Sequence, residues 1–308
     1  MPAVPIQVQT ARKTGLLFPD LPRGVLSVRG KDRSPFLHRL LSNDIKGLQS
    51  GQAKPACLLD RQGKILFCCN AHARPEEILL EMDPSSLPAA RDALERYVVA
   101  DAVEFEEATA RFRVLSAHGP AVAGLKIPVP SGGFETRNRL FGMPGLDLWL
   151  PASDAGTAQS FAALCAGAGM GTGETKAFEV LCIEAGVPLP GREITPEVIL
   201  NELGRDEFVS FTKGCYVGQE IVARIKHRAH PPRLLSGFVT EGSVAAAEGS
   251  PILLGGEPAG VVTSSCFSPT LGKPIALGFL KYGVEGETFL IQNLPARKAG
   301  LPFVSGSS

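Results

Sequence analysis

The chain has 308 residues, 44% of which are hydrophobic, and its 31 basic residues balance 31 acidic residues. A chain of this length and composition can bury two or three domain cores. The lack of net charge argues against a protein built around a large nucleic-acid surface, so any basic site must be local. No run approaches the roughly eighteen apolar residues that a transmembrane helix needs, and the start lacks the apolar core of a secretory signal.

The first part of the chain predicts strands, a helix and a hairpin. The run GVLSVRG, Gly24–Gly30, predicts a strand. A helix follows, with Ser34 as its N-cap and a proline in its first turn. Two later apolar runs flank a polar turn in which Gly63 is available for a positive φ, and this pattern predicts a β-hairpin.

The last part of the chain predicts a small β domain. From about Pro231, short apolar runs alternate with turns rich in Gly, Pro and Ser. Short strands at regular spacing indicate an all-β barrel or sandwich. Before this part, a helical stretch ends at Gly186, which suits a left-handed C-cap.

The seven cysteines form no Cys-x-x-Cys pair, and most of them lie among apolar neighbours. Buried, reduced thiols that act as small hydrophobic side chains explain this pattern. We therefore expect a reducing compartment, with neither a disulfide framework nor a structural zinc site.

The segment FTKGCYVGQEIVARIKHR is the main candidate for function. Its apolar spacing predicts a helix from about Gly218 to Arg228. Cys215 would lie just ahead of the helix N-terminus, where free N–H groups and the helix dipole favour an anion, and Lys213 adds a positive charge. Both effects lower a thiol pKa, and the thiolate is the reactive form. The alternative is a glycine-lined helix start with an inert cysteine.

Other residues of this segment are candidates for contacting a ligand. The two glycines allow a backbone or a ligand to approach closely, and the two polar residues can bond loop amides or a ligand: Gly214, Gly218, Gln219 and Glu220. Arg228 belongs to a basic run, which is either a solvated helix face or an anion site for phosphate or a multi-carboxylate tail. His227 and His230 have the spacing of a metal pair, but no carboxylate or thiol flanks them, so no metal site is predicted.

The run KGCYVGQE resembles the signature of the YgfZ family. These proteins are folate-binding relatives of the glycine-cleavage T-protein, an aminomethyltransferase, and are linked to tRNA modification and to the assembly or repair of iron–sulfur clusters. The resemblance continues in order through FLHRLLSNDI, LLDRQGKIL, IEAGVPLPGREI and GVVTSSCFSPTLGKPIALGFL. It implies an α+β fold, a three-part cloverleaf of the aminomethyltransferase folate-binding type with a C-terminal β-barrel.

The resemblance also implies a domain division and a cofactor. A central folate-binding α+β domain would comprise residues 1–55 and 117–230, an inserted α+β domain residues 56–116, and the barrel residues 231–308. Tetrahydrofolate would bind in the central opening.

Three residues carry over from the family to the expected folate site. Glu184 matches the glutamate that contacts the pterin ring, and a carboxylate can accept two hydrogen bonds from an aminopyrimidine edge. Asn43 and Asp44 match an Asn–Asp pair near the folate opening. A turn at the C-terminal end of a helix is the alternative role for this pair.

Two departures from the T-protein bear on activity. Phe67 and Cys68 stand where the T-protein has paired aspartates, one of which is essential to its reaction, so glycine-cleavage activity is not expected. Cys182 stands where relatives commonly have arginine, which removes one expected charge contact. Whether the protein is an enzyme is therefore left open.

The resulting prediction is a tetrahydrofolate-binding accessory protein that supports assembly or repair of iron–sulfur clusters in client enzymes, including tRNA-modifying ones. Cys215 and Lys213 would be its catalytic pair. Its partners would be folate and iron–sulfur client proteins or assembly machinery, without nucleic acid or membrane. It would act in the cytoplasm, or in the mitochondrial matrix of a eukaryote.

Two other functions compete with this prediction. The first is a folate-dependent one-carbon transferase, moving an aminomethyl or methyl group, that acts on another substrate. The second is a nucleic-acid-binding module that uses the basic run. The neutral charge and the few aromatic residues weaken the second, because single-strand readers need stacking platforms.

Overall fold

The computed structural model describes residues 2–305, which form two compact units. The first unit comprises residues 2–21, 112–193 and 233–305, and the second comprises residues 22–111 and 194–232. Within the described residues, none of the helices combines the length and apolar character needed to cross a bilayer.

The secondary structure consists of α-helices, β-strands and short 3₁₀ turns. The α-helices are α1 Val4–Lys13, α2 Arg33–Leu40, α3 Leu87–Glu95, α4 Ala155–Gly167, α5 Thr175–Glu184 and α6 Gln219–Arg228. The strands of the first half are β1 Leu16–Phe18, β2 Gly24–Arg29, β3 Ala53–Leu59, β4 Ile65–Ala73, β5 Glu77–Met82, β6 Glu104–Glu107, β7 Phe112–His118, β8 Phe134–Asn138 and β9 Gly145–Pro151. The later strands are β10 Gly171–Thr172, β11 Arg233–Thr240, β12 Pro251–Leu254, β13 Glu257–Ser268, β14 Lys273–Lys281, β15 Thr288–Ile291 and β16 Leu294–Ala299.

The second unit is built on one antiparallel sheet, with the strand order β3-β4-β5-β2-β6. Helices α2 and α3 supply apolar side chains to the sheet's core, including Phe36, Leu37 and Leu94, which are all fully buried. Burying one such side chain stabilises a fold by about 1.5–3 kcal/mol. The sheet thus fixes the β3–β4 hairpin, whose turn contains Gly63 with φ 77° as predicted.

The first unit contains a second sheet and a barrel. The sheet has the order β10-β1-β7-β9-β8, and strands β11 to β16 close into a six-stranded barrel with an apolar interior. Helices α1 and α5 pack together and share a core with barrel residues Ile275 and Leu277. The barrel, and the left-handed Gly186 with φ 65° directly after the C-cap of α5, confirm two sequence predictions.

One local prediction was wrong, and one helix was missed. Helix α2 begins two residues earlier than predicted, with Asp32 rather than Ser34 at the N-cap position. Helix α1 was not predicted, although Pro5 in its first turn is a helix-start signal. The division into three domains stays a prediction, and strand β2 lies in the same sheet as β3 to β6.

A buried carboxylate links three parts of the second unit. Glu77 on β5 accepts hydrogen bonds from Ser27 Oγ at 2.6 Å and from both terminal nitrogens of Arg111, at 2.8 and 2.9 Å. Burial acts to raise the pKa of Glu77, but the bonds from Arg111 and Ser27 outweigh it and hold the pKa below its ordinary value. A carboxyl with a lowered folded-state pKa stabilises the fold above its ordinary pKa, and this stabilisation is lost as the pH falls through the folded value.

We therefore expect Glu77→Gln to lower the free energy of unfolding at pH 7 by about 1–3 kcal/mol, since Arg111 loses its charged partner. Below pH 4.5 wild type should lose this advantage, so the two proteins should converge on acidification. Urea unfolding between pH 3 and 7 measures the effect. Glu95→Gln is the matched control, because Glu95 forms an exposed pair with Arg91. A constant wild-type-to-variant difference down to pH 3 would contradict this linkage.

Candidate functional site

Helix α6 begins beside the β3–β4 hairpin because of a glycine. Gly218 at the N-cap has φ 82°, in the left-handed region. A Cβ added there would lie 2.6 Å from the carbonyl oxygen of Asp60, whereas a Cβ on Gly214 would meet nothing within 4 Å. Gly218 therefore lets the hairpin backbone approach closely, and the predicted ligand contacts of both glycines stay predictions.

Cys215 differs from the other free cysteines of residues 2–305, because it is exposed and they are buried. Burial raises the pKa of the thiols of Cys69 and Cys266 to about 12 and that of Cys165 to about 11. Burial also raises the pKa of Cys182. These four thiols are therefore inert at neutral pH, and Cys215 is the free thiol of the described chain that solvent and substrates can reach.

Lys213 has a defined structural role. Its Nζ donates to the backbone carbonyls of His38, Leu41 and Asn43, at 2.6 Å for Leu41 and 3.0 Å for Asn43. Burial lowers the pKa of Lys213 to about 8, against a smaller opposing effect of the Asp44 carboxylate, so the group is still an ammonium at pH 7. Its three protons are matched by three carbonyls just beyond and within the end of α2, where the helix dipole favours a cation. The sequence instead placed this charge beside Cys215, and a catalytic role for Lys213 stays a prediction.

Asn43 is a buried link between chain segments. Its Nδ2 donates to the carbonyls of Pro55 and Glu207, each at 2.7 Å, and its Oδ1 accepts from the Asp44 amide at 2.9 Å. Asn43 is only 6% exposed. The turn role that the sequence offered as an alternative fits these bonds better than a folate contact does.

Asp44 is more accessible than Asn43 and carries charge. Its Oδ1 accepts from the Gly47 amide at 3.1 Å and lies 3.1 Å from His38 Nδ1. The bond from Gly47 holds the pKa of Asp44 below its ordinary value. The pKa of His38 is lowered by burial and by the nearby Lys213 ammonium. Asp44 is thus ionised at neutral pH, and its part in folate binding stays a prediction.

Glu184, at the end of α5 in the first unit, is a fully buried carboxylate. Arg12 Nη2 and Thr270 Oγ1 each donate to Oε2 at 2.9 Å. Ser268 Oγ and the Thr270 amide donate to Oε1 at 2.5 and 3.3 Å. These four donors occupy the usual acceptor positions of a carboxylate, so a pterin edge would have to replace one or two of them.

The sequence missed the three side chains that hold Glu184: Arg12, Ser268 and Thr270. Arg12 supplies a guanidinium from α1. A helix-start signal at Pro5 would have placed Arg12 on a helix, but no local pattern connects it with residue 184. Contacts this distant in sequence require the tertiary structure.

The remaining candidates lie on α6. Gln219 is partly exposed, and Glu220 and Arg228 are exposed. With Cys215, Lys213, Asn43 and Asp44 they belong to the second unit, whereas Glu184 belongs to the first.

The prediction that all cysteines are reduced was wrong. Cys57 on β3 and Cys68 on β4 form a disulfide. They are direct partners in the antiparallel register, so the strand pairing brings together two residues that are eleven apart in sequence. A search for closely spaced cysteine pairs cannot find such a bond. Cys68 and Phe67, the two residues at the expected aspartate positions, thus offer a disulfide and a buried aromatic ring.

This chain is similar in sequence and in structure to several known proteins. Residues 233–304 match the glycine cleavage T-protein C-terminal barrel domain. An aminomethyltransferase of Rubrobacter xylanophilus is 29% identical over 96% of this chain and 84% of its own length. An aminomethyltransferase of Thermus thermophilus is 29% identical over 91% of this chain and 84% of its own length. The crystal structure of the glycine cleavage system aminomethyltransferase T from Bartonella henselae is similar with a TM-score of 0.85 at 22% identity, covering 99% of this chain and 90% of that one.

These similarities confirm the predicted fold class, an α+β fold of the aminomethyltransferase type with a C-terminal β-barrel. The barrel residues match the T-protein C-terminal barrel domain, and both of these relatives of the chain are aminomethyltransferases. The narrower resemblance to the YgfZ family stays a prediction.

We expect Lys213→Met to lower the free energy of unfolding at pH 7 by about 1–3 kcal/mol, because three carbonyls lose a charged donor. Urea unfolding measures this change. Lys298→Met, at an exposed lysine on β16, should change it by less than about 0.5 kcal/mol. Equal effects of the two substitutions would show that the Lys213 bonds add nothing to stability.

Proposed function

We propose that this protein is a tetrahydrofolate-dependent one-carbon transferase that moves an aminomethyl or methyl group to or from a substrate other than that of glycine cleavage. The observation that carries the proposal is the similarity to aminomethyltransferases, which extends over 96% of the chain in the Rubrobacter protein. Similarity over this span includes both units and the barrel, and not the barrel alone.

The residues around Glu184 have the chemistry that a pterin requires. A buried carboxylate can accept two N–H bonds from an aminopyrimidine edge, and the hydroxyl donors Ser268 and Thr270 can rotate away to admit them. Arg12 then keeps the carboxylate charge balanced. Bound tetrahydrofolate supplies the one-carbon carrier, and the protein supplies orientation and charge.

The substrate differs from that of glycine cleavage because the hairpin lacks the acidic pair. Phe67 is buried and Cys68 is oxidised, so neither can provide a carboxylate. Cys215 is the accessible nucleophilic group of the KGCYVGQE segment. In this proposal its sulfur contacts the reacting group, while Lys213 is a positioning residue that fixes the segment to the end of α2.

A second candidate function is favoured by the exposed cysteine itself. A tetrahydrofolate-binding accessory protein for assembly or repair of iron–sulfur clusters, including those of tRNA-modifying enzymes, would need an accessible thiol, and Cys215 provides one. Its partners would be iron–sulfur client proteins or assembly machinery, without nucleic acid, in the cytoplasm or the mitochondrial matrix.

We expect tetrahydrofolate to raise the thermal unfolding midpoint under anaerobic conditions. A ligand at a hundred times its dissociation constant stabilises the native state by about 2.7 kcal/mol, which corresponds to several degrees for a chain of this size. Thr270→Val, which removes one hydroxyl donor from Glu184, is a conservative probe of the binding site and should alter the midpoint shift. No shift with the wild-type protein would remove folate from both candidate functions.

We expect Cys215→Ala to keep the tetrahydrofolate shift but to reduce one-carbon transfer by at least about a hundredfold, as loss of a group at the reacting centre does. The assay follows label from methylene- or methyltetrahydrofolate into acceptors in an extract of cells that lack this protein. Cys165→Ala, at a buried thiol in a different core cluster, is the control. If wild type transfers no label but speeds folate-dependent cluster transfer to an acceptor protein, the accessory function replaces the transferase.

A further inference from the structure

The Cys57–Cys68 disulfide joins two strands that are already paired. Backbone bonds hold β3 to β4, and β4 is held in turn by β5. The cross-link closes a loop of only eleven residues of sequence separation, and the hairpin closes that loop without it. A disulfide stabilises less in a short loop than in a long one, and strand pairing also holds β3 to β4, so the sheet does not depend on this disulfide alone.

The two sulfurs differ in access. Cys57 is 0% exposed, whereas Cys68 is partly exposed on the neighbouring strand. Cys68 is therefore the partner nearer to solvent, and in a thiol exchange the incoming thiolate would attack its sulfur with Cys57 as the leaving group. The disulfide thus joins one fully buried and one partly exposed cysteine.

Cys57 is connected by hydrogen bonds to the segment that leads to Cys215. Its amide donates to Ser42 Oγ at 2.9 Å, and its carbonyl accepts from the Ser42 amide at 2.9 Å. Ser42 Oγ donates to the carbonyl of Phe208 at 2.6 Å, and its own carbonyl accepts from the Ser210 amide at 3.0 Å. Together, the polar groups of Ser42 therefore connect the disulfide strand with residues 208–210.

The same segment is held again a few residues later. Lys213 donates to the carbonyls of Leu41 and Asn43, on either side of Ser42. Residues 41–43 are thus hydrogen-bonded to Cys57 on one side and to the run 208–213 on the other. A shift of β3 would therefore displace residues 41–43 and, through them, the run 208–213.

We propose that Cys57–Cys68 is a reducible disulfide that exchanges with a dithiol reductant through Cys68, and that its redox state controls the order of residues 207–215. A thiolate of the reductant attacks the Cys68 sulfur, the Cys57–Cys68 bond breaks, and Cys57 leaves as a thiolate that takes a proton. The second thiol of the reductant then attacks the mixed disulfide, releasing Cys68 as a thiol and the reductant as a disulfide. Two electrons pass to the protein, and the proposal does not depend on the proposed transferase function.

Counting thiols tests the bond. Denatured under non-reducing conditions, the protein should bind five maleimides, and after treatment of the native protein with dithiothreitol it should bind seven, as read by intact mass. Seven adducts without reductant, or five after native treatment, would overturn the proposal.

Two single variants test the direction of exchange. In native Cys57→Ser the partly exposed Cys68 should react with Ellman's reagent at least tenfold faster than Cys57 does in native Cys68→Ser. Cys215 reacts in both variants and serves as the internal reference. Equal rates for the two thiols would contradict attack at Cys68.

Amide hydrogen exchange tests the coupling. Peptides covering 207–215 should exchange at least threefold faster in the reduced than in the oxidised protein, while peptides of α5 should not change. The double variant Cys57→Ser with Cys68→Ser should match the reduced protein. Ser42→Ala should exchange at the faster rate in both redox states, because the Ser42 Oγ bonds to Cys57 and Phe208 are missing. Identical exchange of 207–215 in oxidised and reduced wild type would overturn the coupling.

Discussion

One ammonium group organises the region on which the functional argument depends. Lys213 satisfies carbonyls within and beyond the end of α2, and so fixes the run that leads to Cys215 against residues 38–43. Hydrogen bonds from a charged donor are stronger than neutral ones. The Lys213 ammonium is half-buried, so water weakens its hydrogen bonds less than it would at the surface. The exposed thiol of Cys215 therefore stands on an anchored segment and not on a free loop.

The structure separates the cysteines by environment. Four free thiols are buried, and burial raises their pKa values, so they behave as apolar side chains. Two more are joined across a strand pair, and one is exposed. Among the described residues, the second unit thus contains the exposed thiol of Cys215 and a disulfide with one partly exposed member, Cys68. These two groups differ in their sulfur chemistry, since one is a thiol and the other a disulfide.

Sequence reasoning succeeded where local signals decide structure. The strand at Gly24–Arg29, the hairpin with Gly63, the start of α6 near Gly218 and the C-terminal barrel each follow from periodicity or turn chemistry. It failed where distant segments meet: the four donors around Glu184, the disulfide and the carbonyl partners of Lys213 are tertiary contacts. Glu184 and Lys213 were foreseen as candidates, but their partners were not, and the two bonded cysteines were expected to be reduced.

The Arg12–Glu184 ion pair connects the first helix to the interior of its unit. The guanidinium belongs to Arg12 in the last turn of α1, and the Glu184 carboxylate that it contacts is fully buried. Removing one member of a buried ion pair leaves an uncompensated charge and costs about 3–5 kcal/mol. The first helix therefore supplies the counter-ion of a buried carboxylate. Deleting this helix to shorten the protein would leave the Glu184 anion buried without its charged partner.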